Sequence, residues 1–465
     1  MRNKLWCILF LSLLLSCNEG DDEPQRFDIQ DDAFESIVLE SDLDKTVIDN
    51  IARKYSSKPM TKSGGYMLSS IRDAKGETAM YVINFADDAG FVVVSATKKY
   101  EPILAFSDKG NFNVNNENLP DGLKQWKTDV IDVINKHKSF PADSALRYAT
   151  FWREFESVKK FNPNRVLTRA YEYPELDRIM MDSVALWQSQ GYNVYSLYEN
   201  PTTGDSELDA QIRACAENSI RPIYDWQNYS LLIEKEYSNE YGRNNFLKSS
   251  WDQLSGYNMY LPMRPTLPQH AYVGCDILSV SQVMRYFEKP VYSNSFQFHL
   301  NNMPFGYSTQ ETALFIKDVF DRFSYKIVTD SCTSSTLQEE YNVIRSYGYS
   351  AKYDFYDKQK VLNSLYQMTP VIIRGSYDEV GHSWIISGVK QYIGAIEYKL
   401  YTFVSENELS NVFSCETNQT TSPHFYYMTW GWGGLYDGFY GSSNIYDPTT
   451  NNIYMNKKII YDINY

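Results

Sequence analysis

The spacing of apolar positions changes twice along the chain and divides it into three regions. From about residue 33 to 138, short apolar runs predict a helix, a hairpin, a third strand and a second helix. The hairpin strands are 79–85 and 91–96, joined by a turn at 87–90, and the third strand is 102–107. The second helix has one apolar face, made of Leu123, Trp126, Val130, Ile131 and Ile134. This first region therefore has the pattern of a small α+β domain.

The two later regions differ in their secondary-structure pattern. Residues 139–245 are mostly helical in pattern, with a capping-box sequence at 206–209, and their role is not indicated. In residues 246–465, strand-like runs and glycine or proline turns dominate, apart from a helix after residue 275 and one near 335–347. The strand candidates are 371–373, 384–386, 399–404 and 424–429.

The helix pattern after Cys275 is the first candidate for chemistry. Its apolar residues recur at three- and four-residue steps, at Ile277, Val280, Val283, Met284 and Phe287. A thiol at a helix N-terminus lies at the positive end of the backbone dipole, which favours the nucleophilic thiolate. Cys275 is therefore a candidate nucleophile, and Gly274 permits close approach of the backbone. The alternative is a buried structural cysteine, which is the commoner fate of a lone Cys.

Five histidines are available as the proton acceptor that such a thiol needs. His382 follows Gly381 and precedes the apolar run 384–386, so it can point from the start of a strand into a cleft. We prefer it to the rival His424 because the flanking glycine leaves one edge open. Gln253, about twenty residues before the nucleophile, can supply an N–H donor to an oxyanion hole beside the Cys275 amide.

The N-terminus has the pattern of a targeting segment. Arg2 and Lys4 precede an apolar run from Leu5 to Leu15, as in a secretory signal. Its end, Leu14-Leu15-Ser16-Cys17, resembles a bacterial lipobox, which implies cleavage after residues 1–16 and lipidation of Cys17 in the outer membrane. An ordinary secretion signal with a chance cysteine is the alternative. Residues 17–32 are acidic and poor in apolar side chains, as expected of a solvated tether.

Composition excludes several classes of function. The net charge of −14 argues against nucleic acid as a partner, because nucleic acid rewards Lys and Arg surfaces. The six cysteines form no CxxC or Cys/His cluster, so no metal site is expected, and no cofactor is implied. Cys332 and Cys415 remain able to pair in an oxidising compartment, a question that the sequence leaves open.

The order and spacing of these motifs resemble the streptopain family of papain-like cysteine peptidases. The resemblance extends from about residue 247 to the C-terminus and also covers about residues 33–138, where 90–95 and 102–104 look like the family's inhibitory propeptide. In the later region the matching residues are Trp251, Gln253, Gly256-Tyr257-Asn258, Gly274-Cys275, Gln282-Val283-Met284, Tyr286, Pro290, Pro370-Val371, Gly381-His382, Gly388, Trp430 to Gly434 and Asp437 to Tyr440.

The resemblance implies an α+β, papain-like fold at 246–465, with a helical part carrying Cys275 and an antiparallel β part carrying His382. It further implies that residues 33–138 form a small α+β propeptide domain that inhibits the enzyme intramolecularly. Cys275 would be the nucleophile, His382 the base and Gln253 an oxyanion donor, while Thr429, Trp430 and Trp432 orient or shield the histidine. The expected substrates are proteins or peptides.

Two residues depart from the family pattern. Asp276 follows the nucleophile where the family has a small or apolar residue, and Thr429 stands where it has Asn. A carboxylate facing the sulfur would oppose thiolate formation, whereas one pointing outward would stabilise the helix start. The first hypothesis is a lipid-anchored, zymogen-like cysteine endopeptidase. The second is a degenerate, non-catalytic member that acts as a surface binding or inhibitor protein.

Overall fold

The computed structural model describes most of the chain from residue 43 onward. The signal segment 1–16, the tether 17–32 and Cys17 lie outside the described residues. No described helix is both long and apolar enough to cross a bilayer. The described residues are 43–57, 65–113, 119–141, 148–156, 174–199, 201, 203, 206–219, 230–293, 296–377, 380–405, 408–442 and 457–465.

The secondary-structure elements are numbered here in chain order. The helices are α1 (Lys45–Tyr55), α2 (Asp121–Lys138), α3 (Ala149–Arg153), α4 (Pro174–Ser189), α5 (Ser206–Ser219), α6 (Cys275–Phe287), α7 (Gln310–Arg322), α8 (Leu337–Ser346) and α9 (Lys358–Tyr366). The strands are β1 (Tyr66–Arg72), β2 (Thr78–Phe85), β3 (Phe91–Ser95), β4 (Ile103–Ser107), β5 (Asn193–Ser196), β6 (Ser230–Arg243), β7 (Tyr292–Ser293), β8 (Phe296–Gln297), β9 (Ile327–Val328), β10 (Thr333–Ser334), β11 (Ser350–Phe355), β12 (Val371–Tyr377), β13 (Val380–Ser405), β14 (Glu408–Thr421), β15 (Phe425–Thr429), β16 (Gly438–Gly441) and β17 (Lys458–Asn464).

The first region folds as its pattern predicts. Strands β1 to β4 form an antiparallel sheet in sequential order, and the predicted hairpin is β2 and β3, with Asn84 paired to Phe91. The apolar face of α2 is buried through Leu123, Trp126 and Val130. This sheet does not end at β4, because β4 pairs with β16 of the last region. The two regions therefore share one continuous sheet.

Strand β13 organises the last region. Its first part pairs with β12 on one side and β15 on the other, and β17 and β11 extend the sheet beyond β12. Because side chains alternate along a strand, the two faces of β13 join different cores. Ile385 packs with α6 and α7, whereas Trp384 and Ile386 pack with α2 and the first region. The predicted α+β fold, with Cys275 on a helix and His382 on an antiparallel sheet, is confirmed.

The outer part of β13 belongs to an accessory sheet, composed of β5, β6, β14 and the end of β13. Helix α4 covers one face of this sheet through Met180 and Val184, and α5 covers the other through Ile212. The mostly helical pattern predicted for 139–245 is therefore wrong at its end, where β6 forms a strand of 14 residues. β6 is rich in Glu and Lys, which favour helices, but pairing with β13 along its whole length overrides that preference.

The accessory sheet depends on its buried helix faces. Val184 of α4 is 2% exposed, whereas Leu186 of the same helix is 55% exposed. We expect Val184→Asp to destabilise this unit by about 3 kcal/mol or more, because an unpaired polar group enters an apolar core. Limited proteolysis with fragment mapping should show rapid cutting within 174–219 for this variant. The matched Leu186→Asp variant should resist cutting, and equal sensitivity of the two would contradict the assignment.

Candidate active site

Cys275 is the first residue of α6 and lies beside β13. The preceding Gly274 has φ of 91°, a left-handed conformation that favours glycine, and a Cβ there would lie 2.6 Å from the Thr333 carbonyl oxygen. Cys275 is buried, with 7% of the residue exposed. Its sulfur accepts a hydrogen bond from the backbone N–H of Ser383 at 3.4 Å. The thiol therefore lies at the positive end of a helix, with one fixed N–H donor.

His382 immediately precedes the residue that contacts the sulfur. It pairs with Gly375 of β12, and its ring stacks on Trp384 with 6.1 Å between centroids and an interplanar angle of 17°. Trp384 in turn contacts Trp430, at 5.4 Å between ring centroids. The main chain of β13 thus carries His382 next to the serine that contacts the sulfur, and two tryptophans lie behind the imidazole.

The rival histidine lies elsewhere. His424 comes five residues before Thr429, at the opposite end of β15. Five residues of extended strand separate the two by about 17 Å. Burial, reinforced by the nearby Lys358, lowers the pKa of His424 to about 4. It is therefore neutral near pH 7 and distant from the strand position that meets Cys275.

The segment carrying Gln253 is tied to both the nucleophile and the tryptophan-glycine block. The Gln253 carbonyl accepts a hydrogen bond from the N–H of Val273 at 3.0 Å, two residues before Cys275. The carbonyl of Trp251 accepts one from Gly433 at 3.1 Å. Gln253 itself is buried, with 7% exposure. The main chain of Gln253 is thus tied to a residue two positions before the nucleophile.

Asp437 anchors the tryptophan block and was not singled out from the sequence as a site residue. Its carboxylate accepts the backbone N–H of Trp430 at 3.0 Å, and the Trp430 indole N–H donates to the Tyr436 carbonyl at 3.1 Å. Burial raises the pKa of Asp437 to about 7. Its signal in the sequence is its place in the run Asp437 to Tyr440, which is among the residues that carry the family resemblance.

Thr429 occupies the strand position predicted to orient the histidine. It is 1% exposed and pairs with Ile385, so it lies on the α6 side of the sheet. Its hydroxyl oxygen is buried without a hydrogen-bond partner, and so it does not hold the imidazole in this structure. Trp430 and Trp432 lie on the other face, where Trp430 is fully buried and Trp432 is partly buried.

Asp276 points inward rather than to solvent. The residue is fully buried and forms an ion pair with Arg374 of β12. Its carboxylate also accepts hydrogen bonds from the Ser335 N–H at 2.6 Å and from the Ser383 hydroxyl at 2.9 Å. Of the two orientations open from the sequence, the outward one is wrong. In the sequence, its partner Arg374 is marked only as a single arginine within the apolar run of β12.

The charges around the sulfur oppose its ionisation in part. Burial and the Asp276 carboxylate raise the pKa of the Cys275 thiol well above its usual range, while Arg374 and the Ser383 N–H act in the opposite direction. Glu340 of α8 also raises it. The thiol is therefore largely protonated in this closed form of the protein.

The N-terminal end of α2 lies directly on the histidine. Gly122 is so close that an added Cβ would lie 2.7 Å from the His382 ring and 2.8 Å from the Trp430 ring. The same α2 reaches the C-terminal part of the chain through a buried ion pair between Asp129 and Lys457, at 3.6 Å. The first region therefore covers the candidate active site.

The remaining cysteines are free thiols in the described part of the chain: Cys215, Cys332 and Cys415. Cys332 is exposed and Cys415 is partly buried, and the two are not joined. Among the described residues, no group of three or more His, Cys, Asp or Glu side chains could hold a metal ion.

Comparisons with known proteins agree with the expected inhibitor segment. Residues 42–134 match the family model of the Spi protease inhibitor. This range lies within the first region, so the prediction of an inhibitory propeptide-type domain is confirmed there. No curated protein sequence matches the chain.

Two solved structures from Prevotella intermedia overlap with the chain. A prointerpain A fragment carrying a cysteine-to-alanine mutation is 14% identical, with a TM-score of 0.45, and the match covers 85% of this chain and 98% of that one. The active interpain A cysteine protease is 17% identical, with a TM-score of 0.33, and the match covers 47% of this chain and 94% of that one. Both TM-scores are below 0.5, so the assignment of site residues rests on the geometry of this chain.

Proposed function

We propose that the chain is the zymogen of a streptopain-type cysteine endopeptidase, with residues 42–134 as its intramolecular inhibitor. One observation carries the proposal above all. A protease-inhibitor domain places Gly122 against His382, while the residue after His382 donates its N–H to the Cys275 sulfur. An inhibitor domain seated on the imidazole, one residue from the strand position that contacts the thiol, has a clear physical reason to be there if the two groups hydrolyse peptides.

In the proposed reaction, Cys275 attacks the carbonyl carbon of the scissile peptide bond as a thiolate. His382 takes the thiol proton and returns it to the leaving amine, so that a thioester to Cys275 remains. The Cys275 N–H at the start of α6 and the Gln253 side chain stabilise the oxyanion. Water, deprotonated by His382, then hydrolyses the thioester and frees the sulfur. Proteins or peptides are the substrates, and no step needs a cofactor.

The inhibitor domain blocks this reaction sterically. Helix α2 occupies the space above His382 and Trp430, where a substrate must approach. It is held there by the β4–β16 pairing, where Phe106 of β4 stacks on Phe439 with 5.2 Å between ring centroids. Removing the domain would both open the site and change the burial that raises the pKa of Cys275.

A non-catalytic surface binding or inhibitor protein is the second candidate. The raised pKa of Cys275, the adjacent Asp276 and the unpartnered Thr429 hydroxyl favour it. The contact of the helix-terminal thiol with Ser383, the residue that follows His382, favours the enzyme. Activity of the matured protein separates the two.

Replacing the nucleophile tests the function directly. We expect Cys275→Ala to abolish peptide hydrolysis by the matured protein, because the sulfur of Cys275 contacts the strand that carries His382. Release of fluorophore from a peptide library measures the activity. The matured protein should also lose hydrolysis when Cys275 is alkylated by an epoxide inhibitor. Cys332→Ala, at an exposed thiol, is the matched control and should retain full activity. Hydrolysis that persists in Cys275→Ala would overturn the proposal.

The contact at Gly122 provides a test of the inhibitor. We expect Gly122→Leu to displace α2 from His382 and to accelerate maturation several-fold, because a Cβ there has no space beside the imidazole. The change from Gly to Leu favours a helix by about 1 kcal/mol, so lost helix propensity cannot explain the effect. Thr128→Leu adds the same side chain to an exposed position of α2 and should mature at the unaltered rate. The time course of cleavage, followed on gels, distinguishes the variants; equal rates would exclude a blocking role for this contact.

We also propose that Cys17 carries a lipid that anchors the protein in the bacterial outer membrane. The basic and apolar segment before Cys17 and the acidic tether after it support this. Cys17→Ser is then expected to move the protein from the membrane fraction to the soluble one, as measured by immunoblotting. Membrane retention of this variant would contradict lipid anchoring without bearing on the peptidase proposal.

A further inference from the structure

The buried charges behind the candidate nucleophile form a closed group. Asp276, Glu340 and Ser383 lie within contact of one guanidinium, that of Arg374. Both carboxyl residues are fully buried. The Ser383 hydroxyl lies 2.9 Å from the Asp276 carboxylate and 2.6 Å from that of Glu340. Four side chains from α6, α8, β12 and β13 therefore meet directly beside Cys275.

We propose that Arg374 is a positioning residue that makes Asp276 compatible with a reactive thiol, by offsetting its charge and by fixing Ser383 against the sulfur. This rests on the proposed function of Cys275 as a nucleophile. A lone carboxylate next to a thiol in a buried site would strongly disfavour the thiolate. Arg374 places a positive charge against that carboxylate and also contacts the Ser383 hydroxyl at 3.1 Å. The backbone N–H of the same serine donates to Cys275.

The glycine before His382 provides independent support. A Cβ on Gly381 would lie 2.6 Å from Nε and 2.7 Å from Cζ of Arg374. The guanidinium therefore passes directly over the residue that precedes the candidate base. Arg374 spans the gap between the residue after the nucleophile and the residue before the base. The glycine expected to keep the edge of His382 open thus makes room for this side chain.

The charges of the group act on one another in both directions. Burial and the neighbouring Asp276 raise the pKa of Glu340 well above its usual range, while Arg374 lowers it. Burial lowers the pKa of the Arg374 guanidinium. Asp276, Cys275 and Glu340 together raise it by more, so the net shift of this pKa is upward. Among the described residues, Asp276 and Glu340 raise the pKa of Cys275 and Arg374 lowers it. The loss of the Asp276 carboxylate and the loss of the Arg374 guanidinium are therefore expected to shift the pKa of Cys275 in opposite directions.

The experiment measures the pH midpoint of Cys275 alkylation by iodoacetamide in the full chain, by peptide mass spectrometry from about pH 7 to about pH 12, because burial and Asp276 raise the pKa of this thiol well above its usual range. Arg374→Gln should raise the midpoint by about one to two pH units, and Asp276→Asn should lower it below that of the parent protein. Arg374→Lys keeps the positive charge, so its midpoint should lie close to that of the parent protein. The exposed Cys332 is the internal reference, and its midpoint should stay constant in every variant.

Gly381→Ala keeps every charge but displaces the guanidinium, so it should also raise the midpoint. If circular dichroism shows that Arg374→Gln does not fold, Gly381→Ala provides the test in its place. The proposal would be overturned if the midpoints of Arg374→Gln and Asp276→Asn moved in the same direction, or if neither midpoint moved. Alkylation reports on Cys275 whether or not the protein hydrolyses peptides. A failure of Cys275→Ala to abolish activity would therefore refute the proposed function and leave the coupling measurable.

Discussion

The alternation of side chains along the first part of β13 determines how the other parts of this molecule meet. Successive residues of a strand face opposite sides of the sheet, and here each side has its own partner. Ser383 and Ile385 face α6, so the backbone of Ser383 can reach the Cys275 sulfur. Trp384 and Ile386 face α2 and the inhibitor domain. A shift of one residue in the β12–β13 pairing would exchange these two faces and dissolve both the thiol contact and the inhibitory contact.

The same strand explains why a carboxylate can follow the nucleophile. At an exposed helix start, Asp276 would add to the favourable dipole interaction and cost little. Here it is buried, so its stability depends on partners that compensate for lost hydration. Arg374 and Ser383 supply those partners from β12 and β13. The arrangement links the sulfur, the carboxylate and the strand carrying His382 into one electrostatic unit, in which the protonation of the thiol depends on a side chain nearly a hundred residues away.

Local elements of this fold could be predicted from the sequence because their patterns are local. The hairpin of β2 and β3 and the helix after Cys275 follow from apolar periodicity and turn residues. The strand β6 could not, because its pairing partner lies some 150 residues later and its Glu and Lys content favours a helix. The ion pair of Asp276 with Arg374 has the same origin: each residue is unremarkable in its own segment, and only the packing of α6 against β12 brings them together. A buried ion pair between residues far apart in the chain produces no periodic pattern in the sequence.

The inhibitor domain is held on the last region by folded contacts rather than by chain connectivity alone. The inhibitor domain shares backbone hydrogen bonds with β16, stacks Phe106 on Phe439 and places Trp126 against Tyr440 at 4.9 Å between ring centroids. The ion pair of Asp129 with Lys457 adds a contact on the far side of α2. A cut in the chain between the inhibitor domain and α6 would remove none of these contacts, since none of them involves residues 139–274. The free energy that holds Gly122 on His382 is therefore carried by the shared sheet and its aromatic residues, and a cut alone leaves these contacts in place.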